Sequence, residues 1–216
     1  MVGQLEAYAA RKLGLFEPHQ PAPSFRTLLG EAAWQRLAAP IRARFGGQAA
    51  RGDFTGHAQL TANAFGALIA GLMVIVGRPL PTLTGACEAQ VSIRPGAYGA
   101  VWDRAYRKAG QAFQHVRSLK RQIGTTLYEC AGPIWMRLRL EERDRALVFI
   151  STGFFLALGP LRVRFPDWLT PGRLEVVHTD HGGGEFAFTL TCDHAWFGRV
   201  FDQIVTLCDA DPEEVR

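Results

Sequence analysis

Residues 61–76 read TANAFGALIAGLMVIV, and a helix of this sequence would carry apolar side chains on nearly every side. Asn63 can cap the start of the helix, and Gly77 can end it. The apolar run is too short to span a bilayer, so the pattern predicts a helix inside the protein core. A helix without a polar face must be covered on all sides, and the chain after Ala86 supplies strands that could cover it.

The chain after Ala86 changes to a hydrophobic period of two, which is typical of β-strands. The alternation is clearest over residues 134–140. Strands are predicted at residues 51–60, 87–93, 100–107, 112–119, 127–130, 134–140, 146–158, 161–165, 173–179, 185–192 and 200–207. About ten strands without intervening helices predict an α+β fold, in which a curved or barrel-like antiparallel sheet wraps around the buried apolar helix.

The chain divides into three segments. Residues 1–24 are predicted to form an N-terminal helical arm and linker, 25–209 a single α+β domain, and 210–216 an acidic tail. At the start of the domain, residues 25–45 place their apolar side chains on one face of a helix, which ends at Gly46-Gly47. Pro40 lies inside this segment, so a break or kink is expected there.

The composition is that of a globular protein with a sizeable core, since 48% of the 216 residues are hydrophobic and 20% are charged. The net charge of +4 comes mainly from scattered arginines, so no nucleic acid is expected as a partner. The four cysteines are far apart, which indicates reduced thiols in a cytoplasmic protein. The first residues lack the apolar region of a signal peptide, and stable membrane insertion is not expected.

Glycine, proline and aromatic residues recur in an order that resembles a known family. They include Gly52, Gly56, Leu60, Gly77, Pro79, Trp102, Arg104, Tyr106, Phe113, Tyr128, Glu129, Gly132, Pro133, Pro166, Trp168, Leu169, Pro171, Phe186, Phe188, Gly198 and Phe201. Across residues 25–209 the chain resembles a bacterial domain of unknown function, which in longer proteins often follows an NAD(P)-binding domain of the saccharopine-dehydrogenase-like or epimerase-like kind. The resemblance implies an oxidoreductase as a partner but no particular reaction. The G-x-G-x-x-G fingerprint of nucleotide binding is missing from this sequence.

Glu129 lies in the apolar strand predicted at residues 127–130, next to Tyr128. Adjacent strand residues face opposite sides, so one of the two points inward. An interior carboxylate either acquires a raised pKa, which suits a general acid or base, or pairs with a cation. We expect Glu129 to face inward beside an arginine, and the structural alternative is a glutamate that faces solvent. The possible partners are Arg104, Arg117 and Arg137.

Other polar strand residues have both a functional and a structural interpretation. His115 shares a strand face with Phe113 and Arg117, where it could act as an acid or base or only stack on the aromatic ring. Arg137 and Arg139 are solvated charges if their face is outward, but they can clamp a carboxylate or phosphate if it lines a cavity. The predicted catalytic residues are Glu129 and His115, and the predicted ligand-binding residues are Trp102, Arg104, Tyr106, Tyr128 and Arg137.

Histidine and aspartate cluster at His178, Asp180 and His181, with Asp193-His194 downstream. This composition suits a metal site, but residues 180–184 also have the chemistry of an ordinary turn, and the spacing has no rigid scaffold. We therefore expect no metal and no other cofactor. Scarce serines and the absence of a nucleophile elbow also argue against a hydrolase triad.

Two functions are compatible with this sequence. The first is binding of a hydrophobic or amphipathic small molecule in an interior cavity, with or without cofactor-independent acid–base catalysis of the isomerase, cyclase or dehydratase type. The alternative is a non-catalytic accessory module that works with an NAD(P)-dependent oxidoreductase. An enclosed cavity with Glu129 or His115 on its wall favours the first, whereas a filled core with an exposed apolar patch favours the second.

Overall fold

The computed structural model describes residues 22–47, 52–74, 80–158 and 161–210. Within them the helices are α1 (Phe25–Leu29), α2 (Glu31–Arg36), α3 (Ala39–Phe45) and α4 (Ala64–Met73), with a 3₁₀ helix at Asp167–Leu169. The strands are β1 (Gly52–Ala62), β2 (Gly85–Gly96), β3 (Gly99–Arg107), β4 (Gln114–Ile123), β5 (Thr126–Ala131), β6 (Ile134–Arg143), β7 (Ala146–Leu158), β8 (Leu161–Arg164), β9 (Arg173–Gly182), β10 (Glu185–His194) and β11 (Gly198–Asp209). Most of the predicted N-terminal arm, the acidic tail from residue 211 and the predicted helix end at Gly77 lie outside the described residues.

The eleven strands of the described chain form one antiparallel sheet that closes into a barrel. The strand order is β6-β5-β4-β3-β2-β1-β11-β10-β9-β7, and pairing of β6 with β7 closes this ring of ten strands. β8 extends the sheet beyond β7 and lies outside the ring. Closure removes the unpaired edges that an open sheet would expose. The barrel-like antiparallel sheet predicted from the alternation is confirmed.

Helices α1–α3 fill one end of the barrel, here called the lower end, which carries the β6–β7 and β9–β10 turns. Phe25, Ile41 and Phe45 are buried in one apolar cluster with the inward side chains of the strands. The backbone N–H of Ala38 donates to the carbonyl oxygen of Arg145 at 2.9 Å, which attaches the helices to the β6–β7 turn. The helical segment inside the barrel is therefore the N-terminal one.

The single helix predicted over residues 25–45 consists of three short helices. Gly30, with a φ of 84°, separates α1 from α2, and extended backbone at Leu37 ends α2. Pro40 lies in the first turn of α3, where its missing N–H costs no helical hydrogen bond. The break expected at Pro40 therefore occurs just before it.

Helix α4 lies at the opposite, upper end and is not enclosed by the sheet. Asn63 caps it as predicted, because its side-chain oxygen accepts a hydrogen bond from the N–H of Gly66 at 2.9 Å. Leu68 and Leu72 are 59% and 54% exposed, so the prediction of a helix buried inside the sheet is wrong. Within the described part of the chain, neither α4 nor any other helix has the length and apolar character needed to cross a membrane.

Small residues decide which side of α4 meets the barrel. A Cβ at Gly66 would collide with the carbonyl oxygen of Val200, so the close approach of the helix to β11 requires glycine. Ala70 packs with Leu174 and Phe201 at the upper ends of β9 and β11. The larger apolar side chains of α4 remain outside because inward strand residues and α1–α3 already occupy the barrel.

All four cysteines are free thiols, and three of them are buried. Burial raises the pKa of Cys130 and of Cys192 to about 12. Both are therefore protonated and unreactive at neutral pH.

Candidate ligand-binding site inside the barrel

A small cavity lies inside the barrel between the α1–α3 helices and the upper end. Its volume is about 50 Å³, enough for a few water molecules. Its apolar walls include Val91, Phe149, Val176, Phe188 and Val205. Its polar lining comes from Arg104, Tyr106, Lys120, Glu129 and Gln203. The barrel therefore holds a few polar groups in a mostly apolar enclosure, as ligand sites do.

A second cavity of about 30 Å³, here called the second lobe, lies beside the first toward the upper end and reaches Leu80 and Leu83 before β2. Arg104, Tyr106, Leu190 and Gln203 line both lobes, so they lie where the two adjoin, here called the neck. Nε2 of Gln203 donates to the hydroxyl oxygen of Tyr106 at 3.0 Å. Burial raises the pKa of Tyr106, so its hydroxyl group stays uncharged.

Glu129 is the centre of a buried polar cluster on the cavity wall. Oε1 accepts a hydrogen bond from Oγ of Ser118 at 2.6 Å, and Oε2 accepts one from Nζ of Lys120 at 2.8 Å. Nη2 of Arg104 lies 3.3 Å from Oε1 and donates to Oγ of Ser118 at 3.0 Å. The side chains of Lys120 and Glu129 are only 7% and 13% exposed, so this ion pair is shielded from solvent.

The strand register explains why these side chains meet. Lys120 of β4 lies opposite Glu129 of β5, and Ser118 lies opposite Trp102 of β3. Because every second residue of a strand faces the same side, Trp102 and Arg104 point inward together with Ser118 and Lys120. The short β4–β5 turn at residues 124–125 sets this register.

The charges of the cluster determine its protonation. Burial by itself raises the pKa of Glu129, but the charges of Lys120 and Arg104 and the hydrogen bonds to the carboxylate outweigh burial and lower that pKa to about 2. Burial lowers the pKa of Lys120, and the charge of Glu129 opposes this effect. Glu129 is therefore ionised at neutral pH, so pairing with cations, and not a raised pKa, is the outcome of its burial.

Two residues that line the cavity each have a buried N–H group without a hydrogen-bond partner among the described residues. These groups are Nε1 of Trp102 and Nε of Arg104. The Trp102 ring also faces the Lys120 ammonium, whose Nζ lies 4.4 Å from the ring centroid. Because a buried donor without an acceptor costs free energy, these groups favour a molecule that brings an acceptor into the cavity.

The structure brings four of the predicted site residues together on the cavity wall: Trp102, Arg104, Tyr106 and Glu129. Glu129 faces the interior and contacts Arg104, one of the three arginines expected from the sequence. Whether these residues bind a ligand or take part in a reaction stays a prediction.

His115, Tyr128 and Arg137 lie on the outer face of the barrel, so the structure does not bring these three predicted site residues to the cavity with Glu129. Nδ1 of His115 is 3.0 Å from Oδ1 of Asp103, and the His115 side chain is 53% exposed. Tyr128 packs against Trp135, and Arg137 lies opposite Tyr128 on β6. The reason is the alternation within each strand, because the inward positions of β4 and β5 are taken by Lys120 and Glu129.

Sequence reasoning does not identify Ser118, Lys120 and Gln203 as part of the site. One sequence pattern could have identified Ser118 and Lys120, because they share a strand face of β4 with Val116 at a period of two. The opposite face of the same strand, which carries His115, alternates equally well. Gln203 sits among apolar residues of β11 and carries no signal of its own.

His178 is buried near the lower end, where it has a structural role. Nδ1 donates to the carbonyl oxygen of Ala187 at 3.3 Å, and Nε2 accepts from Nη1 of Arg44 at 3.0 Å. Burial and the charge of Arg44 lower the pKa of His178 to about 3, so the imidazole is neutral. These bonds connect α3 to β9 and β10.

The histidine–aspartate cluster noted in the sequence is not assembled in space. Asp180 and His181 lie at the lower end of the β9–β10 hairpin, whereas Asp193 and His194 lie at its upper end. In the described ranges, no three His, Cys, Asp or Glu side chains are placed to hold a metal ion.

Fold and site together define a closed antiparallel barrel with helices in one end and a buried ionic cluster on the wall of a small cavity. A family model with the description "Domain of unknown function (DUF4166)" matches residues 37–207, and the chain belongs to that family. This match confirms the resemblance to a domain of unknown function. The description of the family names no reaction. No curated protein matches the chain.

Proposed function

We propose that this protein binds a small amphipathic molecule in the interior of its barrel. The observation that carries the proposal is the ionic cluster of Glu129, Lys120 and Arg104 on the wall of an otherwise apolar cavity. A buried ion pair adds little stability compared with apolar residues of similar volume. Its position beside a cavity is better explained if it orients the polar group of a ligand.

The shape of the cavity limits what the ligand can be. The first lobe, of about 50 Å³, has room for a small polar head group. The rest of the molecule must follow the second lobe past Leu190 toward the upper end. This arrangement fits an amphipathic chain with its head inside and its tail toward the mouth of the barrel.

Binding is better supported than acid–base catalysis. Glu129 already accepts hydrogen bonds from Ser118 and Lys120, and its pKa of about 2 makes it a weak base and no proton donor at neutral pH. His115, the other predicted acid or base, is on the outer face.

Retention of small molecules from a metabolite extract tests the proposal. The purified protein is incubated with the extract, freed of unbound compounds by gel filtration, denatured and analysed by mass spectrometry. The wild-type protein is expected to retain one or a few amphipathic compounds. Leu190→Trp, which places an indole ring in the neck between the lobes, is expected to lose them.

Leu161→Trp is the matched control, because it makes the same substitution at an exposed position of β8. Circular dichroism establishes that both variants fold. Loss of the compounds from Leu190→Trp but not from Leu161→Trp supports interior binding. Equal retention by both variants, or no retention by the wild type, contradicts it.

A second candidate function is that of an interaction module, which is favoured by an exposed apolar surface at the upper end. This surface, the upper rim, comprises Leu68, Leu72, Trp168, Leu169, Trp196 and Phe197, all of them exposed. Phe197 stacks on Phe65 of α4 at 3.9 Å, and the carbonyl oxygen of Trp168 lies 3.3 Å from Nε2 of His194. These contacts join the parts of the rim into one exposed apolar surface, and such surfaces are typical of interaction sites.

For the upper rim we propose an NAD(P)-binding domain of the saccharopine-dehydrogenase-like kind as the partner. Such a domain, supplied as a separate polypeptide, is expected to bind the wild-type protein in sedimentation velocity experiments. Leu72→Ser is expected to weaken binding and His115→Ala, away from the rim, to leave it unchanged. No complex with the wild type, or equal binding by Leu72→Ser, contradicts this second function.

A further inference from the structure

We propose that the head group of the bound molecule is an anion, in the simplest case a carboxylate. The inference rests on the proposed interior binding and adds the chemistry of the ligand. It follows from the balance of charges and hydrogen-bond donors on the cavity wall.

The described lining of the first lobe has one positive charge in excess. Lys120 and Arg104 supply two positive charges, whereas Glu129 supplies the only negative charge among these lining residues. In the second lobe, the carboxylate of Asp202 pairs with Arg199, at 3.1 Å, and is half exposed. A monovalent anion in the first lobe would therefore neutralise the interior, and a cation would double the uncompensated charge.

The hydrogen-bond inventory indicates the same ligand chemistry. Nε1 of Trp102 and Nε of Arg104 are buried donors without an acceptor among the described residues. Both residues belong to β3 at positions i and i+2, so their side chains lie on the same inward face. The oxygens of Glu129 are already engaged by Ser118, Lys120 and Arg104 and do not satisfy these donors. A carboxylate has only acceptors, which is what two unpartnered donors require.

The ammonium group of Lys120 can also contribute to binding an anion in the first lobe. It donates to Glu129 at 2.8 Å, but an ammonium carries three donors. The rings of Trp102 and Phe149 lie 4.4 and 5.6 Å from Nζ and enclose it from the side of the α1–α3 helices. Lys120 lines the first lobe, so its remaining N–H groups can donate to an anion there, and the low-dielectric walls strengthen this attraction.

Three six-carbon compounds that differ only in the head group test the inference: hexanoate, 1-hexanol and hexylamine. Each is titrated into the wild-type protein by isothermal calorimetry at neutral pH. Hexanoate is expected to bind at least about tenfold more tightly than 1-hexanol, because its hydrogen bonds are charge-assisted. Hexylamine is expected to bind most weakly.

Two variants test which residues cause the expected preference for hexanoate over 1-hexanol. Arg104→Met removes the charge and the donors but keeps an apolar chain of similar length, and Trp102→Phe removes only the indole N–H. Both are expected to weaken hexanoate binding several-fold and to leave 1-hexanol binding unchanged. Arg137→Met, on the outer face, is the matched control and is expected to change neither. If Arg104→Met does not fold, Trp102→Phe carries the test.

The outcomes separate this inference from the proposed function. Equal affinities of the wild type for hexanoate and 1-hexanol, or preference for hexylamine, overturn the anionic head group and leave interior binding intact. Failure of all three compounds to bind contradicts both. Equal weakening of hexanoate and 1-hexanol by Trp102→Phe would mean that cavity shape, and not recognition of the anion, determines binding, and it would also overturn the inference.

Discussion

The inner and outer faces of β3–β5 each carry a cluster of charged side chains, and the two clusters differ chiefly in their exposure. Inside, Glu129 meets Lys120 and Arg104 in a site shielded from solvent. Outside, Asp103 meets Arg117 at 2.7 Å and His115 at 3.0 Å, with the side chains of both partners largely exposed. Similar contact distances therefore have different energetic consequences, because solvent screens the outer charges and not the inner ones.

The largest loss of stability is expected when the carboxylate of Glu129, at the centre of the inner cluster, is removed. Glu129→Leu leaves Lys120 and Arg104 buried as two cations without an anion, which is expected to lower the free energy of unfolding by ~3–5 kcal/mol. Urea denaturation measures this loss. The double variant Glu129→Leu/Lys120→Met should recover part of it, and a loss below ~1 kcal/mol in the single variant would show that the inner charges are screened after all.

The second-largest effect is expected at acid pH, where protonation of Glu129 should destabilise the inner cluster. The folded-state pKa of Glu129, about 2, is below the unfolded value near 4.3, so its contribution is complete above pH ~5 and is lost as the pH falls toward 2. The loss is on the order of 3 kcal/mol. Stability measured between pH 6 and pH 3 should decrease less steeply in Glu129→Gln, and an unchanged slope in that variant would contradict the prediction.

The outer cluster should respond weakly to the corresponding change. Asp103→Asn removes the carboxylate that Arg117 and His115 share, but both of these side chains remain hydrated, so the free energy of unfolding should fall by no more than ~1 kcal/mol. Added salt should reduce the effect further. A loss as large as that of Glu129→Leu would remove the distinction between the two faces.

The smallest effect is expected on the outer surface of α4. Leu72→Asp exposes a charge where the leucine is already half exposed, so stability should change by only ~0.5 kcal/mol. The matched control is Ile41→Asp, which buries the same charge among the α1–α3 helices and should prevent folding. Thermal unfolding measures the stability of Leu72→Asp, and soluble expression shows whether Ile41→Asp folds. Insolubility of Leu72→Asp would mean that α4 is covered.

Much of the sheet could be predicted from sequence, because alternation is a local property of each strand. The period of two over residues 134–140 specifies β6, and the alternation of Tyr128 with Glu129 places one of the two on the inward face. The presence of α4 and its cap at Asn63 are equally local, since they depend on residues within one helical turn. The antiparallel barrel and the arginine beside Glu129 are both present in the structure.

Only the tertiary structure decided which helix enters the barrel and which face of β4 lines the cavity. Apolar content favours α4, but α1–α3 occupy the interior, where Ala38 bonds to the β6–β7 turn, far away in sequence. On β4, the faces of His115 and Lys120 have nearly the same polarity, so the choice depends on the register with β3 and β5. The physical reason is that local periodicity determines an element and its two faces, whereas the competition of all elements for one interior determines which face is buried.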